Sequence, residues 1–514
     1  MTFARLWSVA ALLMCASMPV SAHVFVQPYT LPVPFWMYLY ACAAALVLSF
    51  AVVAYVMGQP TSERVGPSPR AWSLPPDNRL AQSVWHAALL VGRTGALVCL
   101  LLTVVSGFVG TSDPRANINL TLFWVAFLLG LTYLVALVGD VYALVNPWRS
   151  LVDLIEKAGV DLSRARVYYP TGAGAWPAFA WYVALVWMEL FTLPRPYDLS
   201  LALTVYTVAT LAGVLVFGKH AWLTHGELFS VFFRVVALVA PVEYREEGGR
   251  WQARLHAPLT PLSSPSYQTS PTHPSYPTHT TFPDHPPPMH PALVLFVLFM
   301  LSSTTYDAVH QTFLWVSLYW QRLLPLVKPL WGGDVLAAQA ALTVGYRVYQ
   351  QLGLILSPLL YLLVYGLVLV GARLLTRSTV PLWRLAGEFA PSLVPIALVY
   401  HATHYATILI ADLPRVWPLA ADPFGMGWQL FRAELAPPRP LNMGVIWHSQ
   451  VALVLLGHVA GVLLAHKTAV RVFASARLGF VSQLPMLLLM VAYTCMGLWV
   501  LSLPLDVPQV LPLE

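Results

Sequence analysis

The chain has 514 residues, of which 58% are hydrophobic and only 10% charged, against about 25% charged in an ordinary soluble domain. A mean hydropathy of +0.67, with apolar runs of about 17–25 residues, predicts an all-α polytopic transmembrane bundle and speaks against a β-barrel, whose strands would alternate. The net charge of +6 reports topology in such a chain and implies no nucleic-acid partner.

Residues 1–22 read as a secretory signal: Arg5 supplies the positive start, Leu6 to Met18 the apolar stretch, and Val20-Ser21-Ala22 a small-residue cleavage site. Cleavage would leave His23 first, able to chelate copper through its amine and ring. Cys15 falls in the signal, and Cys42, Cys99 and Cys495 fall in separate apolar runs, so no disulfide framework or thiolate metal site is indicated.

Ten spans come next, at about 35–57, 87–109, 120–145, 177–193, 199–218, 291–315, 353–375, 389–411, 445–466 and 484–506. With His23 outside, the inner loops carry 18 Lys and Arg and the outer segments eight, which fits the positive-inside rule. The expected protein is therefore a multi-pass membrane protein with both mature termini on the outer side. Two segments resist the count. Residues 222–241 are amphipathic, carry Glu227 and Arg234, and could lie at the interface or re-enter; residues 334–352 could form an outer-face helix before the seventh span. Residues 257–290, rich in Pro, Ser, Thr and His (His273, His279, His285, His290), read as a cytoplasmic linker between five-span halves at 23–256 and 291–514.

Ionisable residues in the C-terminal half carry the chemistry. An ionisable group at membrane depth costs about 2.5–3.5 kcal/mol or more on insertion scales, so it has a partner or a task. Asp307 and His310 lie on one face of the sixth span, and His401 and His404 on one face of the eighth. The ninth span runs the opposite way, so His448 and His458 match His404 and His401 in depth. Imidazole and carboxylate suit a divalent transition metal (zinc, copper, iron or manganese), with His401, His404, His448 and His458 as ligands and Asp307 and His310 as catalytic or further ligating groups. Such a metal would generate hydroxide from bound water near neutral pH. The bland alternatives are hydrogen bonding between helices for the histidines and an Asp307–His310 pair. Asp412 and Asp422 read as turn or cap residues, while His86, His220, His225 and His466 sit at interfacial ends. Asp140, Asn146 and Arg149 close the third span, and Glu189 is a buried or interfacial carboxylate.

The segments GDVYALVNPWRSL (139–151), HGELFSVFFRVVALVAPVE (225–243), ADPFGMGWQLF (421–431) and GHVAGVLLAHKTAV (457–470), with the AHVF…LPVPFWMYLYA opening, resemble bacterial polytopic membrane proteins of the fenitrothion hydrolase type. The resemblance covers most of the chain and implies hydrolysis of a hydrophobic organophosphorus triester reaching the site from the lipid bilayer. It transfers no catalytic residue, and the 257–290 insertion is longer than that family's loops.

Three readings stand side by side: a metal-dependent phosphotriester hydrolase, a transporter or metal-handling protein using the same histidines, and a haem-binding redox protein with His401 and His458 as axial ligands. The sequence does not specify an oligomeric state.

Overall fold

The structure, a computed structural model, describes residues 34–57, 70–74, 79–170, 172–247, 250–255, 288–327, 329, 335–433, 442–473 and 475–502. The signal segment with His23, and His273, His279 and His285 of the linker, lie outside the described residues. In chain order the main helices are α1 (Phe35–Met57), α2 (Arg79–Val109), α3 (Ile118–Val138), α4 (Trp176–Phe191), α5 (Pro196–Phe217), α6 (Lys219–His225) and α7 (Leu228–Val236). Then come α8 (Pro291–Val309), α9 (Val335–Thr376), α10 (Leu382–Phe389), α11 (Val394–Asp412), α12 (Met443–Val472) and α13 (Leu484–Ser502).

Every predicted span is helical, and the chain is an all-α polytopic bundle. Among the described residues nine helices are long and apolar enough to cross a membrane, or ten if the bent pair α6–α7 counts as one. The difference from the expected ten lies at α4. Its 16 residues make a helix of about 24 Å at 1.5 Å per residue, short of the roughly 30 Å hydrocarbon core.

Residues 222–241 do not lie on a face of the molecule. They form most of α6 and all of α7, bent by 54°, and Phe229, Phe232, Phe233, Val231 and Val236 of α7 are buried in the main core. Glu227 sits at the break, wholly buried, and caps α7 by accepting from the N–H groups of Phe229 and Ser230. Tyr206, Tyr142, Asn146 and the Ser230 hydroxyl donate to the same carboxylate. The strings 139–151 and 225–243 therefore meet inside the protein. Asp140 and Asn146 cap the short helices Val141–Val145 and Pro147–Lys157.

Residues 334–352 are no separate outer-face helix. From Val335 they are the first part of α9, whose 42 residues run without a break through Pro358. Proline has no N–H for the carbonyl of Leu354, and the Ser357 hydroxyl donates to that carbonyl instead. The same hydroxyl lies 3.0 Å from Ser302 Oγ on α8.

The α11–α12 interface is set by two glycines. A methyl on Gly457 would stand 2.1 Å from Val399, and one on Gly461 would stand 2.9 Å from Ile396. This G-x-x-x-G face lets the two backbones approach closely.

A small antiparallel sheet, ordered β1 (Arg70–Leu74), β3 (Arg250–Leu255), β2 (Val242–Glu247), joins two loops in which the sequence suggested no regular structure. Tyr244 and Trp72 both register with Ala253. The signal was present in the alternation of VEYREE and RWQARL about Gly248-Gly249. At the end of the linker, His290 caps α8 by accepting from the Ala292 N–H, and its ring packs against Gly174.

Candidate functional site

Among the described residues α8 is the most deeply buried of the candidate spans, and it stands at the centre of the bundle. That helix nevertheless carries the polar run Ser302-Ser303-Thr304-Thr305-Tyr306-Asp307, all of it buried. The hydroxyls of Thr304 and Thr305 donate to the carbonyls of Met300 and Leu301, so the run costs the helix little. The side chain of Asp307, 4% exposed, is met from α11.

His404 Nε2 lies 2.7 Å from Asp307 Oδ2, and the Tyr405 hydroxyl donates to the same oxygen at 2.9 Å. Adjacent residues of α11 thus address one carboxylate oxygen. A buried carboxylate is tolerable only when paired and hydrogen-bonded, and these two groups supply both conditions. On the third side stands α3, whose middle, Thr121–Gly130, is wound as a π-helix. Just beyond that stretch the Tyr133 hydroxyl lies 3.1 Å from His401 Nδ1. A widened turn of this kind shifts the register of the residues downstream of it and is frequent at functional sites.

These elements enclose a cavity of about 30 Å³. Its polar wall is Asp307, Ser303, Thr304, His401, Tyr405, Tyr182 and Glu189, the last two from α4. Glu189 lines this cavity together with Asp307 and Tyr405. Two carboxylates and the Tyr405 phenol therefore share one small cavity. The apolar wall includes Leu128 of the π-helical stretch and Phe232 of α7.

The expected residues divide. Asp307 and His404 come together, with His401 on the same cavity. His310 is buried, but its Nδ1 donates to the main-chain oxygen of Asp307 at 2.8 Å and stands 3.9 Å from the carboxylate Oδ1. The anticipated Asp307–His310 couple thus gives way to a closer one, Asp307–His404. His448 is exposed at the head of α12, its Nδ1 donating to Gly444 O and its Nε2 3.4 Å from the Tyr38 hydroxyl. His458 is buried elsewhere, donating from Nδ1 to Val454 O with its ring against Tyr493 of α13.

Matching depth did not bring the four histidines together, because depth fixes height on a helix and not direction. Gly457 and Gly461 must face α11, which turns His458 toward α13. Among the described residues, no three His, Cys, Asp or Glu side chains are arranged to hold a metal ion. The donor set therefore does not fit the four-histidine metal site expected from the sequence. The His401 ring meets Tyr133 of α3, and the His458 ring meets Tyr493 of α13.

Asp422 forms a turn, accepting from the N–H groups of Met426 and Gly427. Asp412 instead ends α11 and pairs with Arg415 without capping a helix. The turn at Asp422 docks on the α2–α3 connection, where Thr111 N–H donates to Phe424 O.

No family model, curated protein or solved structure matches this chain. The site stands on its geometry. Glu189, Tyr405 and Tyr133 were missed as members of it. Glu189 carried a usable signal, being a lone carboxylate in an apolar helix. The tyrosines carried none, since a phenol is at home in such helices and its partner lies on another element.

Proposed function

We propose that this protein is a membrane transporter that takes up and passes a proton at the Asp307–His404 pair. One observation carries the reading: the cavity beside the pair is water-sized. A volume of about 30 Å³ accommodates one or two waters and is roughly a tenth of the smallest usual small-molecule pocket. Two carboxylates, Glu189 and Asp307, border it, and an imidazole is hydrogen-bonded to one of them. Ionisable groups held inside a helical bundle, facing a cavity large enough for water, are the usual elements of a proton path.

A second reading keeps the phosphotriester hydrolase that the sequence resemblance implies. The 2.7 Å contact of His404 Nε2 with Asp307 Oδ2 favours it. Asp307, which lines the cavity and is held by His404, would take a proton from a cavity water, and that water would attack phosphorus. The hydrophobic ester would arrive from lipid and would need the cavity to widen. No step in this reading is routed through a metal.

One preparation tests both. Wild type and Asp307→Asn are reconstituted into vesicles with a trapped pH dye, and a pH step is applied outside. The transporter reading expects wild type to collapse the gradient and Asp307→Asn to match protein-free vesicles. Equal rates for wild type and protein-free vesicles overturn it. Nitrophenol release from fenitrothion in detergent, present in wild type and lost in Asp307→Asn and His404→Ala, would establish the hydrolase.

A further inference from the structure

We propose that Tyr405 carries a proton between Glu189 and Asp307, so that the two carboxylates act as one exchangeable pair. The relay rests on the proton-handling reading and names the route within it. Its ground is the position of one hydroxyl. Tyr405 OH donates to Asp307 Oδ2 at 2.9 Å, and Glu189 borders the same cavity of about 30 Å³, room for one or two waters. The three groups come from α11, α8 and α4, and all three line one cavity. Tyr405 itself is buried, at 8% exposure.

The step balances without any co-reactant. It begins with Glu189 protonated and Asp307 ionised. The Glu189 O–H bond breaks as its proton joins the phenol oxygen, while the phenol's own O–H bond breaks and its proton joins Asp307 Oδ2. Glu189 ends ionised, Asp307 ends protonated, and Tyr405 ends neutral as it began. Asp307 Oδ2 is also the atom next to His404 Nε2, so the imidazole is the next acceptor or the earlier donor. His310 Nδ1 at 3.9 Å from Asp307 Oδ1, His401 across the cavity on Tyr133, Tyr182 on the cavity wall, and Tyr306 and Tyr400 near Asp307 are other titratable groups around the pair.

A tyrosine serves better here than a second water. Its oxygen is fixed by the helix, and it ends each transfer uncharged, so the buried site never holds a new ion. The relay also gives Glu189 a task that helix packing alone does not.

The test uses the reconstituted full-length protein with Tyr405→Phe, Glu189→Gln and Asp307→Asn, each checked by its melting transition in detergent. Tyr405→Phe removes the hydroxyl and keeps the ring. It should lower proton flux by about a hundredfold or more, the usual worth of a positioned proton-transfer group. Glu189→Gln keeps the Tyr405–Asp307 hydrogen bond, removes the exchangeable carboxyl, and should do the same; it decides the matter if Tyr405→Phe does not fold. Wild-type flux should also slow in deuterated water, and the residual flux of Tyr405→Phe should lose that sensitivity. A structural role for Tyr405 would instead lower both rates in proportion, and that result overturns the relay. So does flux at half the wild-type rate or more in Tyr405→Phe or Glu189→Gln while Asp307→Asn abolishes it; the proton-handling reading then survives alone. Flux unchanged in Asp307→Asn removes both.

Discussion

Two buried carboxylates, Glu227 and Asp307, look alike in the sequence and are treated differently by the fold. Glu227 is wrapped in donors: two helix N–H groups, two phenols, an amide and a hydroxyl converge on its oxygens. Asp307 receives an imidazole and a phenol at Oδ2, and it borders a cavity shared with a second carboxylate. A carboxylate enclosed by donors has nowhere to send a proton and everything to lose from one. The carboxylate beside a cavity, held by groups that themselves exchange protons, can change state. Enclosure marks a structural acid, and an open flank a working one.

That separation can be broken by experiment. The largest effect on stability should come from Glu227→Ala, which leaves several buried donors without an acceptor and should cost about 3–5 kcal/mol. Its melting transition in detergent should fall far below that of Asp307→Asn, which keeps an oxygen for His404 or Tyr405 to address. Equal melting losses in the two variants would erase the distinction. Next is Tyr133→Phe, which removes the hydroxyl from His401 and should cost about 1 kcal/mol, with a visible but partial loss of proton flux. The smallest effect should come from His448→Ala. That ring is exposed at a helix head, so both melting and flux should stay within error of wild type, and a large loss would return His448 to the site.

The helices were legible in the sequence for a simple reason: an apolar run of bilayer length has few other ways to satisfy its main chain. Asp307 and His404 were marked too, because an ionisable group in such a run stands out against its neighbours. Direction was not encoded locally. Height along α12 placed His458 level with His401, but the G-x-x-x-G face that turns His458 away is decided by contact with Val399 and Ile396 on another helix. Read beforehand as a packing face, Gly457 and Gly461 would have excluded His458 from the cluster. The buried course of α7 was hidden for a related reason. Glu227 and Arg234 made the segment look amphipathic, while the Tyr206, Tyr142 and Asn146 donors that accept Glu227 into the interior come from distant parts of the chain.

At 1.5 Å per residue the 42 residues of α9 reach about 63 Å, roughly twice the hydrocarbon thickness, so a large part of the rod must stand clear of the acyl chains. The rod is weakest at Pro358, and beside it Ser357 touches Ser302 on the central helix, five residues before Asp307. The one main-chain hydrogen bond that α9 lacks at Pro358 therefore lies at its contact with the helix that carries Asp307.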